Sequence, residues 1–216
     1  MPKIKEIIMF DTIFSTVKSV SLSRLAPWQN LEETLFVGEG NLSFAKSLLS
    51  LPGGITSMTA TTFEKQKDIS DETKDNATIL HCHGATVYHG VDATRLNDRL
   101  ATRQYNTIIF QFPNVGSRDP KYGQNPNHIM IRKFLENAND YLCAGGKILI
   151  TAVDAPYYDG VFRFKDAANF AGYSITETYP FDPIVFRGYS HINTLDDESA
   201  IKDHKRFVTN VFMKDK

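Results

Sequence analysis

The chain predicts an α/β fold, a mostly parallel seven-stranded sheet with helices on both faces. Apolar runs of strand length alternate with polar helical stretches from residue 34 onward, and a glycine turn joins the first run to the first helix. The final run is reached through a long loop with no helical period, which suits a last strand that turns back antiparallel. At 216 residues and 42% hydrophobic content, the chain is long enough for one sizeable domain and too short for two ordinary ones.

Met1 to Phe10 is interrupted by Lys3, Lys5 and Glu6 and followed by Asp11, so neither a signal-peptide core nor a membrane span can be drawn. Residues 10–26 place Phe10, Ile13, Phe14, Val17 and Val20 on one side of a helix. Residues 1–33 are therefore read as a helical cover segment and 34–216 as the domain. Strands are predicted near 34–38, 55–61, 85–89, 106–112, 146–152, 173–179 and 206–213, with helices near 42–50, 64–82, 94–101, 127–142 and 162–171. Gly145-Gly146 closes one helix before Lys147-Ile148-Leu149-Ile150, and Gly172 closes the next before Tyr173.

Leu35-Phe36-Val37-Gly38-Glu39-Gly40-Asn41-Leu42-Ser43-Phe44-Ala45 reads as strand, turn and helix start. Without a Cβ the chain turns sharply at Gly38 and Gly40 and can approach a ligand, while the free N–H groups of the helix face the same space. A dinucleotide fingerprint asks for a third glycine where this chain has Ser43, so NAD fits poorly. S-adenosylmethionine (SAM), held by base, sugar and amino-acid tail, asks less of that position. Glu39 and Asn41 either bind the charged ends of the tail or cap the helix. A tight strand-to-helix connection with no ligand is the plain alternative for the whole segment.

In an open parallel sheet, ligands bind beyond the carboxyl ends of the strands, where strand order reverses. Glu64, after the second strand, either accepts hydrogen bonds from ribose hydroxyls or is a solvated first-turn helix carboxylate; Thr61 and Thr62 are lesser candidates. Asp92, after the third strand, either accepts from an adenine amino group or caps the next helix. In Phe110-Gln111-Phe112-Pro113-Asn114 the proline fixes backbone direction, and the amides of Gln111 and Asn114 can grip a base edge. Phe112 stacks on that base or packs the strand; Phe110 packs. Asp154, after the fifth strand, and Arg187, Tyr189 and His191 in the long loop either face substrate or scaffold the loop.

His81, Cys82, His83 and His89 cannot converge on one tetrahedral centre, so no metal is expected. Cys82 and Cys143 form no CxxC spacing, which argues against a disulfide framework and for a reducing, cytosolic compartment. The net charge of −1 shows no basic excess of the kind that drives non-specific nucleic-acid binding, and it leaves an RNA substrate open.

Four ordered blocks carry a family likeness: Val37-Gly38-Glu39-Gly40-Asn41-Leu42-Ser43-Phe44, His89-Gly90-Val91-Asp92-Ala93-Thr94, Phe110 through Gly116, and Phe181-Asp182-Pro183 with Gly188-Tyr189-Ser190-His191. On these residues the chain resembles the Rossmann-like methyltransferases typified by the fungal large-subunit ribosomal RNA uridine-N3 methyltransferase. The resemblance implies a class I methyltransferase fold, SAM as cofactor, and RNA, ribosomal above all, methylated on a base nitrogen. Taken with the strand-end positions above, the candidate cofactor contacts are Gly38, Glu39, Gly40, Asn41, Ser43, Glu64, Asp92, Ala93 and Gln111. Substrate contacts fall to Phe112, Pro113, Asn114, Arg187 and Tyr189, and catalytic roles to Asn114, Asp154 and His191. A cytoplasmic location follows, or a nucleolar one in a eukaryote. The family commonly has aspartate where this chain has Asn41 and histidine where it has Asn114. Losing both ionisable groups keeps open a non-catalytic SAM- or nucleoside-binding module, and the modest net charge keeps open a methyltransferase of a small metabolite.

Overall fold

A computed structural model describes residues 25–51, 54–96, 100, 103–117, 119–192 and 203–215. The elements run β1 (Glu32–Val37), α1 (Ser43–Leu48), β2 (Ile55–Thr62), α2 (Asp71–Cys82), β3 (Thr86–His89), β4 (Tyr105–Gln111), α3 (Pro126–Ala138) and β5 (Leu142–Val153). They continue with α4 (Pro156–Phe162), α5 (Phe164–Ala171), β6 (Tyr173–Phe181) and β7 (Phe207–Lys214). Single 3-10 turns lie at Ala26–Trp28 and Pro183–Val185.

The seven strands form one sheet in the order β3-β2-β1-β4-β5-β7-β6. β1 pairs in parallel with both β2 and β4, so chain order reverses at β1. β7 runs antiparallel between β5 and β6, as the loop before it suggested. Alternation along the central strands sends side chains to two cores. Leu35, Val37, Ile108, Phe110, Ile148 and Ile150 pack with α3 and α5 through Phe134, Leu135, Ala167 and Ala168. Phe36, Ile109 and Leu149 pack on the other side with Phe44 and Leu48 of α1 and Leu80 of α2. The helices therefore cover both faces.

Several boundaries differ from the sequence expectation. The helix expected from residue 64 begins at Asp71, because Ser70 caps it by accepting the Thr73 N–H, and this leaves Glu64 in a loop. The helix expected over 162–171 is α5, which starts at Phe164 behind Arg163 at φ 47°; α4 before it has no counterpart in the expectation, and α3 ends at Ala138, so that β5 starts at Leu142. β6 continues through Pro180 to Phe181; it is the sheet's edge, where a missing N–H is tolerated. The expected N-terminal helix lies outside the described residues except at its end, and the helix near 94–101 lies partly outside them. Among the described residues, no helix is long and apolar enough to cross a membrane.

Candidate functional site

The glycine turn leaves β1 against the ends of its two neighbours. Gly38 takes φ +63°, and a Cβ there would lie 2.8 Å from the Phe110 ring, so a side chain is excluded by backbone and by space. The turn is tied to β2 by the Glu39 N–H donating to the Thr61 carbonyl at 2.9 Å and the Gly38 N–H to Thr61 Oγ1 at 3.4 Å. Glu39 is buried; its carboxylate accepts the Ala45 N–H at 2.9 Å and also the Phe44 N–H, so it caps α1. Burial nevertheless pushes its pKa up to about 7. Asn41 accepts the Ser43 N–H on Oδ1 at 3.1 Å, and its amide donates to Glu72 Oε1 and Ser190 Oγ.

The long loop after β6 closes on this turn. Ser43 Oγ donates to the Ser190 carbonyl at 2.8 Å and accepts the Ser190 N–H at 3.1 Å. The Ile192 carbonyl lies 3.0 Å from where a Gly40 Cβ would stand. Phe44, Phe181, Phe186, Tyr189 and Trp28 make one cluster of edge-to-face and stacked rings, with Phe44 to Tyr189 at 5.1 Å and Trp28 to Phe44 at 5.1 Å. Tyr189 thus points inward. Its hydroxyl is buried with no hydrogen-bond partner among the described residues, and burial together with the Glu39 charge holds its proton well above the usual phenol range.

At the end of β4, Gln111 is 9% exposed, and neither its amide nitrogen nor its amide oxygen has a partner among the described residues. Phe112 follows at φ 46°, a left-handed conformation that a bulky residue adopts only under constraint. Its ring meets those of Phe181, His191 and Phe207 at 5.7, 5.1 and 5.4 Å. Burial lowers His191 to about 4, so the imidazole is neutral at pH 7. Pro113 is buried, while Asn114 is exposed and accepts the Gly116 N–H on its own Oδ1 at 2.9 Å.

The remaining predicted residues follow the ends of the other strands. Glu64 sits in the loop after β2, where its carbonyl accepts from Thr62 Oγ1 and the Gly90 N–H. Asp92 Oδ1 accepts both the N–H and the hydroxyl of Thr94 at 2.8 Å, the geometry of a cap, and Ala93 is buried in the core. Asp154 is exposed and pairs with Arg206 at 3.6 Å; Arg187 is exposed. The structure therefore brings together Gly38, Glu39, Gly40, Asn41, Ser43, Tyr189 and the loop, with Phe112 and His191 joined to it through that loop. Sequence reasoning missed Ser190 and Ile192 as partners of the turn, because nothing local signals a contact across 147 positions. Among the described residues, no group of three or more His, Cys, Asp or Glu could hold a metal ion.

The geometry has counterparts in known proteins. Uncharacterized protein At4g26485 of Arabidopsis thaliana is 32% identical over 175 residues, covering 75% of this chain and 82% of that one. A methyltransferase from Pyrococcus furiosus superposes with a TM-score of 0.56 at 16% identity, over 93% of this chain and 83% of that one. The DhpI–SAH complex does so with a TM-score of 0.54 at 15% identity, over 96% and 90%. These two likenesses show the class I methyltransferase fold. Residues 35–193 match the family described as BMT5-like, rRNA (uridine-N3-)-methyltransferase, and the chain belongs to that methyltransferase family.

Proposed function

We propose that the protein is a SAM-dependent methyltransferase acting on a base nitrogen of RNA, ribosomal RNA above all. The observation that carries the cofactor half of this reading is the Gln111 amide: buried at the sheet's switch point, beside the glycine turn, with donor and acceptor both unmatched among the described residues. Leaving such a group unpaired costs about 1–3 kcal/mol, which a polar ligand would offset. The buried Tyr189 hydroxyl and the Glu39 carboxyl, whose raised pKa makes it easily protonated, fit the same polar ligand. The family description supports the RNA half, and the SAH held by DhpI supports the cofactor class.

In this reading Gly38, Glu39, Gly40 and Gln111 hold SAM, with Asn41 and Ser43 shaping the turn and Glu64, Asp92 and Ala93 bounding the adenosine end. When bound, SAM supplies a methyl group already activated on a sulfonium. The chain's own work is then positioning and exclusion of water. Phe112, Pro113 and Asn114 lie at the acceptor side, with Arg187 at its exposed rim. The neutral His191 imidazole, edge-on to Phe112, can take a hydrogen bond from a ring N–H; Asp154, exposed and ion-paired, is the less suited of the two bases.

The test is transfer of labelled methyl from SAM to unmodified ribosomal RNA, followed by digestion to nucleosides. Label on a uridine ring nitrogen is the expected result. Binding of SAM without label in any RNA removes the RNA half of the proposal.

A further inference from the structure

The loop that leaves β4 presents a fully exposed aromatic ring. Lys121 and Gln124 exchange both backbone hydrogen bonds, Lys121 N–H to Gln124 carbonyl at 2.9 Å and Gln124 N–H to Lys121 carbonyl at 3.0 Å. Between them stand Tyr122 at φ 53° and Gly123 at φ 74°. Two central residues with positive φ are the pattern of a type I′ turn, whose first position favours asparagine, aspartate or glycine. This chain places a tyrosine there, and its side chain is 100% exposed. The backbone is unfavourable for that residue, and no packing among the described residues compensates it.

The turn is also held in place. Asn127, buried at the start of α3, accepts the Val115 N–H at 3.0 Å and donates to the Ser117 carbonyl at 3.2 Å, and Asn125 caps the same helix. The tip is a two-residue turn, closed by its two backbone bonds, on the loop following Phe112, Pro113 and Asn114. It stands at the end of the sheet that carries the glycine turn. Two more rings follow the carboxyl ends of strands: Phe63, in the loop after β2, is 55% exposed, and Tyr157, in the first turn of α4 after β5, is 59% exposed. Lys121 puts an exposed cation next to the Tyr122 ring in sequence.

We infer that Tyr122 is a stacking platform for an unpaired base of the nucleic-acid substrate, flanking the base that enters beside Phe112. This rests on the RNA reading above and names its substrate as single-stranded at that point. An exposed ring next in sequence to an exposed lysine can meet the π-face of any base and a neighbouring phosphate, which a small metabolite would not need.

The test compares full-length wild type with Tyr122→Ala, Tyr122→Trp and Tyr122→Asn, using a uridine-rich single-stranded RNA oligonucleotide carrying 2-aminopurine. Tyr122→Ala is expected to weaken binding about five- to a hundredfold and abolish the fluorescence quenching, while Tyr122→Trp keeps both. Tyr122→Asn suits the turn, so its melting temperature should equal or exceed wild type while RNA binding falls. SAM affinity should not move in any variant. If wild type binds the oligonucleotide and Tyr122→Ala binds it equally, the inference falls and the RNA reading stands. If Tyr122→Asn melts lower than wild type, the ring has a structural role and the inference also falls. If wild type binds no RNA at all, the RNA reading falls and takes this inference with it.

Discussion

Glu39 and His191 have opposite effects on stability as pH changes. Folding raises Glu39 from 4.5 to about 7, so between those values the folded state holds a proton that the unfolded chain has lost. This stabilisation is greatest below 4.5 and is lost as pH rises through about 7. Folding lowers His191 from 6.5 to about 4, so between those values the unfolded chain holds the extra proton. Its neutral burial therefore favours the fold above 6.5, and that contribution is lost as pH falls toward about 4. Between 4.5 and 6.5 the two proton counts cancel, and these groups add no slope to wild type. In Glu39→Gln the His191 slope stands alone, so stability should fall on acidification by up to about 1.4 kcal/mol per pH unit. In His191→Asn the slope should reverse, with stability rising on acidification through the same window. Urea unfolding midpoints across that range check both; parallel profiles for all three proteins would contradict the assignment. None of this was visible in residue identity, since burial sets both shifts and depends on a loop far away in sequence.

At the level of elements, the glycine turn, α1 and the loop after β6 behave as one unit. Phe44 of α1 touches Trp28, Phe181, Phe186 and Tyr189, and the Ser43 hydroxyl makes both of its bonds to Ser190. Ser43→Ala leaves the Ser190 N–H and carbonyl to solvent or strain, at a cost of about 1–2 kcal/mol. The Ser190 amide should then exchange with solvent about tenfold faster while the α3 amides are unchanged, as hydrogen exchange would measure. Equal exchange at Ser190 would show that aromatic packing alone holds the loop. The strands and the turn itself were legible because apolar periodicity and glycine are local signals. The late start of α2 was not, because Ser70 as a cap competes with the polar run of Glu64 to Asp68 as a helix start. The loop's docking was not legible either: two prolines and several aromatics mark it as functional or mobile without saying what it covers.

Across the whole molecule, the sheet's reversal at β1 gathers at one end motifs that are scattered along the chain. The glycine turn, Glu64, Asp92, Gln111 to Asn114, Asp154 and the loop to Ile192 all follow the carboxyl ends of strands or the connection beyond β6. That convergence was readable from strand order, because parallel crossovers return every loop after a strand to the same edge. Which side chains turn inward was not readable: Tyr189 lies against Phe44, while Asn114 faces solvent and bonds its own loop. Titration calorimetry of SAM against wild type and Gln111→Leu tests the central claim most directly, read beside their melting temperatures. Wild type should bind one SAM per chain, whereas the variant should melt no lower, having lost an unmatched buried amide, and bind about ten- to a hundredfold more weakly. Undiminished binding by Gln111→Leu, or no binding by wild type, would contradict it.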